Sequence, residues 1–159
     1  GVDRVLLTGL PWCRGKSVTL ISAKSVSVGL ELPPQAFNFT RADLVRYAGA
    51  SGDFNVIHWN ERVAKEVGLP SVIAHGMLTM GTVIRVVTDW LGDPGKVLEY
   101  SARFTRPIPI PDTDEGASVL VSAKVTEVLD DGQAVISITA IHNELTVLAK
   151  TTVTVQLGP

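Results

Sequence analysis

The segment Tyr47–Asn60 contains the side chains best suited to chemistry. Asp53, Asn55 and His58 fall within six residues of one another, behind a glycine-rich turn and ahead of a predicted helix. An acid and an imidazole five positions apart on irregular backbone can both point into one cleft. There they can act as general acid and base on a bound water. Taken singly, each has a simpler explanation: Asp53 as a turn residue, and His58 as a buried histidine with its hydrogen bonds satisfied.

Two short helices are predicted on either side of the Asp/His segment. Thr40 is a good N-cap for the first helix, which ends at Gly49 or Gly52. Asn60 is a good N-cap for the second helix, which runs through Val67. The Asp/His segment is therefore expected to be a loop that joins two helix ends.

A longer helix is predicted from Gly76 to Leu91. Apolar residues cover most of its circumference, so we expect it to be nearly buried. Beyond it, apolar and polar residues alternate as they do in strands. The predicted inner faces are Leu98, Tyr100, Ala102 and Phe104; Val119, Val121, Ala123 and Val125; Ala134, Ile136, Ile138 and Ala140; and Val147, Ala149, Val153 and Val155. A buried helix followed by an antiparallel meander predicts an α+β fold, with the sheet wrapped around the helix.

The remaining strand and the turns complete the predicted sheet. The segment Val26–Phe39 is predicted to be an edge strand, broken by Pro33 and Pro34. Hairpin turns are predicted at Asp130–Gly132 and at His142–Glu144, and the histidine of the second turn is expected to be solvated.

The motif Ser51–His58, followed by Ala74–Met77, resembles the MaoC-like family of R-specific hydratases and dehydratases. Within that family the likeness is to the catalytic subunits of mycobacterial-type (3R)-hydroxyacyl-ACP dehydratases. The resemblance implies a hot-dog fold, in which a long helix is wrapped by an antiparallel sheet. One residue departs from the family pattern, because Val56 stands where the family usually has proline. Residues 1–24 lie outside the resemblance.

The resemblance implies reversible addition of water across a trans-2-enoyl thioester of CoA or acyl carrier protein, giving the (3R)-3-hydroxyacyl thioester of fatty-acid metabolism. It assigns the catalysis to Asp53 and His58. Gly76, at the start of the long helix, would offer backbone N–H groups and the positive end of the helix dipole to the thioester oxygen. Glycine there also lets the carbonyl approach closely. The alternative is that Gly76 only relieves crowding at the helix entry.

Three other motif residues have expected supporting roles. Asn55 either orients the same water or holds the turn through side-chain to backbone hydrogen bonds. Ser51 is expected to stabilise the turn, and His75 is expected to be structural. No metal or other cofactor is expected, because the histidines are not at ligand spacing with acids. One Asp/His pair gives too few ligands for zinc.

The composition fits a single globular domain. The chain has 159 residues, of which 45% are apolar, and we expect an N-terminal extension over 1–24 and one domain over 25–159. A formal charge of −2 and a pI near 5.9 argue against nucleic acid as a partner. The single cysteine, Cys13, excludes an internal disulfide and fits the cytoplasm. No apolar run approaches the roughly 20 residues of a membrane span, and no signal-peptide pattern is present.

Two other functions are alternatives to the dehydratase. A hot-dog thioesterase usually has its carboxylate on the long helix, and here that helix has an acid only at Asp89, near its far end. A non-catalytic pairing subunit would shape an acyl tunnel for a catalytic partner. Such subunits lose the Asp or the His, whereas this chain keeps both.

The predicted fold also implies an assembly. A sheet of five or six strands around one helix leaves exposed edges, and an open edge strand invites pairing with another chain. Hot-dog proteins typically pair two units edge to edge. We therefore expect either a homodimer or a heterodimer with a homologous hot-dog subunit.

Overall fold

The computed structural model describes residues 21–159, so the predicted extension over 1–24 lies almost wholly outside the described residues. The described chain forms an antiparallel sheet whose strand order is β1-β3-β4-β5-β2, with helices on one face. This arrangement confirms the α+β prediction. The elements are β1 Glu31–Phe39, α1 Arg41–Ser51, α2 Glu61–Glu66, α3 Gly76–Val83, α4 Arg85–Leu91, β2 Val97–Phe104, β3 Ala117–Val128, β4 Gln133–His142 and β5 Leu145–Gln156.

The inner face of the sheet follows the predicted alternation in β3 and β4, two of its three inner strands. The predicted inward residues of β3 and β4 are all buried. α4 packs against this face near β1 and β3, through Val86, Val87 and Leu91. Burial of such apolar side chains contributes roughly 25 cal/mol for each Å² removed from water, and it is the main source of stability in this layer.

β5 departs from the predicted alternation at its centre. Lys150 has a φ of +49°, and the pairing of β4 with β5 shifts between Ile138 and Ala140. This irregularity breaks the period of two, as an extra residue in a strand does. The predicted inward residue Ala149 is consequently only half-buried, whereas Leu148 and Thr151 on either side are buried.

The predicted single helix is two helices, and the prediction that it is nearly buried was wrong. α3 and α4 are separated at Ile84, whose N–H bonds to the Met80 carbonyl at 3.3 Å. The same carbonyl accepts the Tyr100 hydroxyl of β2 at 2.9 Å. A side chain that bonds to a carbonyl of the helical ladder is a known cause of such breaks. One face of the pair is buried, and on the other face Met77 is 60% exposed.

Two strands, β1 and β2, lie at the edges of the sheet. β1 is an edge strand as predicted, and its register is irregular between Leu32 and Gln35, around the two prolines. The prediction for β2 was only partly right. Tyr100 and Ala102 are half-buried, but Leu98 and Phe104 are exposed, because β2 has a sheet neighbour on one side only.

Helix caps fix both ends of the Asp/His segment as predicted. Thr40 and Asp43 form a capping box at the start of α1. Of the two predicted ends of this helix, Gly49 and Gly52, the structure has Gly52, whose φ is +76°. The Asn60 side chain accepts the Val63 N–H and caps α2. The chain between Gly52 and Asn60 is loop and one 3-10 turn.

Arg41 ties the two short helices to the chain that follows β2. Its guanidinium donates to Glu61 at 2.7 Å, to Ser71 at 3.2 Å and to the Ile110 carbonyl at 3.3 Å. Ser71 donates to the same carbonyl at 3.0 Å. This half-buried network joins α1 and α2 to the chain ahead of α3, at Ser71, and to the chain that follows β2, at Ile110. No local pattern in the sequence predicts it.

Candidate active site

Side-chain to backbone hydrogen bonds hold the turn that presents Asp53. The Ser51 hydroxyl donates to the Tyr47 carbonyl at 2.7 Å and accepts the Asp53 N–H at 3.2 Å. One carboxylate oxygen of Asp53 accepts the N–H of Asn55 at 3.2 Å. Ser51 thus has the contacts of a turn residue. Asp53 makes an Asx-turn contact and still has a second carboxylate oxygen for other partners.

Asn55 begins the 3-10 turn Val56–His58. Its side-chain oxygen accepts the Ile57 N–H at 3.3 Å, which is the turn-holding role considered for it. Among the described residues the Asn55 side-chain amide nitrogen has no hydrogen-bond partner. Asn55 is exposed, so that amide remains accessible to a bound molecule.

Replacement of Val56 by proline tests how this turn is built. Val56 is the first residue of the 3-10 turn, where a missing N–H removes no hydrogen bond and the fixed φ suits the helix. We expect Val56→Pro to keep activity and to raise the free energy of unfolding by about 0.4–1 kcal/mol, because proline restricts the unfolded chain. Thermal melting of both proteins checks this, and a large drop in melting temperature would contradict it.

His58 is buried and its tautomer is fixed. Its Nδ1 lies 2.7 Å from the Ile73 carbonyl, which can only accept, so Nδ1 carries the hydrogen. In the neutral ring Nε2 therefore holds a lone pair. Only 7% of the residue is exposed, and it lines a cavity of about 270 Å³. A histidine held in this way can accept a proton at Nε2.

Short β-type pairing positions the entry to α3. The Ala74 N–H donates to the Ile108 carbonyl at 2.9 Å, and the Ile110 N–H donates to the Val72 carbonyl at 2.8 Å. These bonds hold the chain ahead of Gly76, the first residue of α3. The N–H groups of this first turn have no acceptor within the helix and point out of its end.

The α3 entry faces the same cavity as His58. Gly76, Thr79 and Phe104 line it together with Ile73, Ala74, Thr105, Arg106, Pro107, Ile108, Val147 and Leu148. The Phe104 ring lies so close to Gly76 that an added Cβ would come within 3.2 Å of it. Phe104 was predicted to be a core residue. No sequence signal distinguished it from one, because aromatic residues alternating along a strand are typical of cores.

Asp53 joins the same site, and His75 completes a cluster. One carboxylate oxygen of Asp53 and one ring nitrogen each of His58 and His75 lie within 4.8 Å of one another. No direct hydrogen bond joins the Asp53 carboxylate to the His58 ring among the described side chains. One water can bridge groups at that distance, because two hydrogen bonds of about 2.8 Å span up to roughly 5.5 Å. The structure thus brings the predicted Asp/His pair within a distance that one water can span.

The prediction that the histidines are not at ligand spacing with acids was wrong, because Asp53 lies close to both His58 and His75. One carboxylate and two imidazoles are close together, but the rings of His58 and His75 are stacked, with centroids 3.8 Å apart and planes at 23°. Imidazole lone pairs lie in the ring plane, so a metal about 2.0–2.1 Å from both rings needs planes that meet at the metal. Stacked rings do not meet in this way, and these residues do not fit a zinc site.

The pKa of His75 is lowered from its ordinary value. Burial is the main cause, and the nearby His58 adds to it. The hydrogen bond from the His75 ring to the Asp53 carbonyl and the charge of Asp53 act in the opposite direction but do not offset burial. His75 is therefore neutral at neutral pH, beside the two residues that were predicted to be catalytic.

The outer side of the site is apolar and open to solvent in the single chain. Phe54 and Trp59 are exposed, although both are large apolar side chains of the Asp/His segment, and the Trp59 ring N–H donates to the Phe54 carbonyl at 3.1 Å. Met77, next to Gly76, is exposed as well. Such clustered exposure is typical of surfaces that another protein or a ligand covers.

Comparisons with known proteins agree with the motif and the fold. The family model "MaoC like domain" matches residues 25–140. A 3-hydroxyacyl-thioester dehydratase X from Mycobacterium tuberculosis is 41% identical over 85 residues, which are 52% of this chain and 29% of the relative. An (R)-specific enoyl-CoA hydratase from Rhodospirillum rubrum is 36% identical over 93 residues, 58% of this chain and 64% of the relative. The chain thus spans less than two thirds of the length of either relative.

Solved structures show the same fold. A MaoC-like dehydratase superposes with a TM-score of 0.84 at 38% identity, over 87% of this chain and 43% of that one. A chain of the ChsH1–ChsH2 complex from Mycobacterium tuberculosis superposes with a TM-score of 0.68 at 25% identity, over 83% of this chain and 97% of that one. The superpositions confirm the predicted hot-dog fold.

Proposed function

We propose that this chain, which belongs to the MaoC-like domain family, catalyses reversible hydration of a trans-2-enoyl thioester to the (3R)-3-hydroxyacyl thioester. One observation carries the proposal. One carboxylate oxygen of Asp53 and one ring nitrogen of His58 lie within 4.8 Å of each other, a distance that one water can span, and His58 and the amide end of α3 line one cavity. The reaction needs a positioned water, a proton acceptor and donor, and stabilisation of negative charge on the thioester oxygen.

In the hydration direction, the Asp53/His58 pair holds the water and removes a proton from it as its oxygen bonds to C3 of the enoyl group. The electrons of the C2–C3 double bond move toward the thioester, and its oxygen becomes negative. Backbone N–H groups at Gly76 are preorganised to stabilise that charge, an effect worth about 3–4 kcal/mol where such a donor has been removed from other enzymes. The pair then returns a proton to C2. Dehydration reverses each step.

Asn55 supports the pair in this proposal. Its side-chain oxygen is used by the turn, so its amide nitrogen is the atom that can donate to the water or to the substrate. Ser51 acts only through the turn.

The thioesterase alternative has no support in the geometry. Asp89, the acid of the long helical region, lies near the end of α4 and pairs with Arg85 at 3.7 Å. It does not line the cavity that contains His58 and Gly76. A catalytic carboxylate has to reach the substrate, so Asp89 does not serve as the thioesterase acid.

The direct test is purified protein mixed with a short trans-2-enoyl-CoA. We expect loss of the conjugated-enoyl absorbance, and chiral chromatography of the product should give the 3R enantiomer. A 3S or racemic product would contradict the family-based stereochemistry, and no turnover of either CoA or acyl-carrier-protein thioesters would contradict the activity. The proposal extends to both carriers and to the cytoplasm as the compartment, in keeping with the single cysteine of the chain.

Assembly is the second part of the proposal. β2 is an edge strand with Leu98 and Phe104 exposed, and Trp59 and Met77 expose further apolar surface beside the site. A second hot-dog unit that pairs along this edge would cover that surface. The unit is either a second copy of this chain or a homologous subunit. The likeness to one chain of a two-protein complex is the reason to retain the heterodimer with a homologous subunit as an alternative.

Light scattering with parallel assays distinguishes the two assemblies. A stable, fully active dimer of the chain alone would support the homodimer. Low activity that is restored by a co-expressed homologue would support the heterodimer. A fully active monomer would contradict both.

A further inference from the structure

His75 contacts each part of the site described above. Its ring nitrogen Nε2 lies 3.2 Å from the Asp53 carbonyl, and its ring stacks on His58 with centroids 3.8 Å apart. In the chain it directly precedes Gly76, as the N-cap of α3. It is 1% exposed, and it does not line the cavity. A residue so placed can act on the reaction only through its neighbours.

The hydrogen bond to Asp53 fixes the tautomer of His75. The Asp53 carbonyl can only accept, so Nε2 carries the hydrogen and Nδ1 of the neutral ring has a lone pair. Nδ1 is buried and has no hydrogen-bond partner among the described residues. A proton added at Nδ1 would therefore be a buried donor without an acceptor, which disfavours the charged ring.

Contacts with α1 and α3 also hold His75 in place. The Thr79 N–H and hydroxyl both donate to the His75 carbonyl, at 3.0 and 3.1 Å. The Tyr47 ring of α1 lies 4.8 Å away at an angle of 56°. The titratable groups that face His75 are therefore Tyr47 from α1 and Asp53 and His58 from the loop.

We propose that His75 is a positioning residue for the proposed hydration: its neutral ring fixes the Asp53 backbone and the plane of the His58 ring. The donor at Nε2 holds the turn that presents the Asp53 carboxylate. The stacked face keeps His58 Nε2 directed at the shared water. The inference rests on the proposed function, because positioning matters only if Asp53 and His58 act on a substrate.

Two substitutions separate the donor from the bulk of the ring. The side-chain amide of His75→Gln can donate to the Asp53 carbonyl as Nε2 does, but it does not titrate. His75→Leu fills a similar volume without a donor. We expect His75→Leu to lower kcat by about 10²-fold, as a displacement of about 1 Å does, with little change in KM. His75→Gln should recover most of that loss.

A comparison of wild type with His75→Gln also tests the charge state of His75, through the pH dependence of stability. The unfolded chain protonates His75 near the ordinary pKa of 6.5, whereas the folded chain does so only at lower pH. Folded protein therefore loses stability as the pH falls from about 6.5 to the lowered pKa, and this loss is absent above that window. We expect the melting temperature of wild type to fall further than that of His75→Gln over this pH range.

Nitrogen NMR of the wild-type ring gives a reading that does not depend on activity. We expect a neutral His75 with hydrogen on Nε2 at pH 7. A charged ring, or hydrogen on Nδ1, would overturn the inference even if the enzyme is active. Full activity in His75→Leu would overturn it too, as would equal losses in the Leu and Gln variants. If wild type hydrates no enoyl thioester, the NMR result separates failure of the proposed function from failure of the His75 geometry.

Discussion

Replacing Asp53 by Asn, or His58 by Ala, should lower the rate of enoyl-thioester hydration by at least about two orders of magnitude, the lower end of what general acid–base groups contribute. The two side chains share one water in the proposed mechanism, so the double variant should be little worse than either single variant. Steady-state assays of the three proteins with one enoyl-CoA measure both effects.

The controls are matched to the chemistry of each change. Asp89→Asn makes the same change as Asp53→Asn at a surface ion pair on α4, and His142→Ala removes a histidine outside the cavity lining. Both should keep wild-type rates. His58→Ala also removes the donor to the Ile73 carbonyl, which costs about 1–3 kcal/mol if that carbonyl stays buried and unpaired. Melting curves identify that loss, and near wild-type rates in both catalytic variants would refute the assignment.

Gly76→Ala should lower kcat/KM by up to about 10²-fold while leaving stability intact. The Gly76 backbone is not in the left-handed region, and alanine favours a helix, so folding is not opposed. The new methyl group would lie 3.2 Å from the Phe104 ring, between it and the amide end of α3. Either the ring or α3 then shifts by a few tenths of an ångström. A displacement of about 1 Å at a reacting centre costs about 10²-fold, so that factor is the upper end of the expected loss.

A double-mutant cycle with Phe104→Leu tests whether the contact with Phe104 causes the loss of kcat/KM, as well as how large that loss is. The smaller side chain should make room for the methyl group, so the cost of Gly76→Ala should be clearly less in the Phe104→Leu background. An equal cost in both backgrounds would mean that Phe104 is not the obstacle. Full activity of Gly76→Ala would contradict the proposal that the thioester oxygen binds at this end of α3.

Local signals predicted the fold and much of the site. Thr40 and Asn60 act as caps because capping depends on residues three or four apart in sequence. The inner faces of β3 and β4 follow a period of two. The fold places Asp53 near His58, and His58 and Gly76 line one cavity. The catalytic roles of these residues stay predictions.

The errors came from contacts that are distant in sequence. The break at Ile84 involves Tyr100, which bonds to Met80 from a strand 20 residues away. The exposure of Phe104 depends on its strand being at an edge, which alternation cannot reveal. His75 was expected to be structural, and its stacking on His58 could not be foreseen because no local rule relates two residues that are 17 positions apart in a loop and a helix cap.

Strand β2 bonds to α3 near the middle of that helix and touches it at its first residue. The Tyr100 hydroxyl bonds to Met80, and the Phe104 ring lies against Gly76. A chain that pairs with β2 therefore restricts the helix whose amide end faces the cavity. Thermodynamic linkage then requires reciprocity: if assembly tightens substrate binding by some factor, substrate must tighten assembly by the same factor. Subunit dissociation on dilution would consequently appear as a loss of substrate affinity, and saturating substrate would shift that dissociation to lower protein concentration.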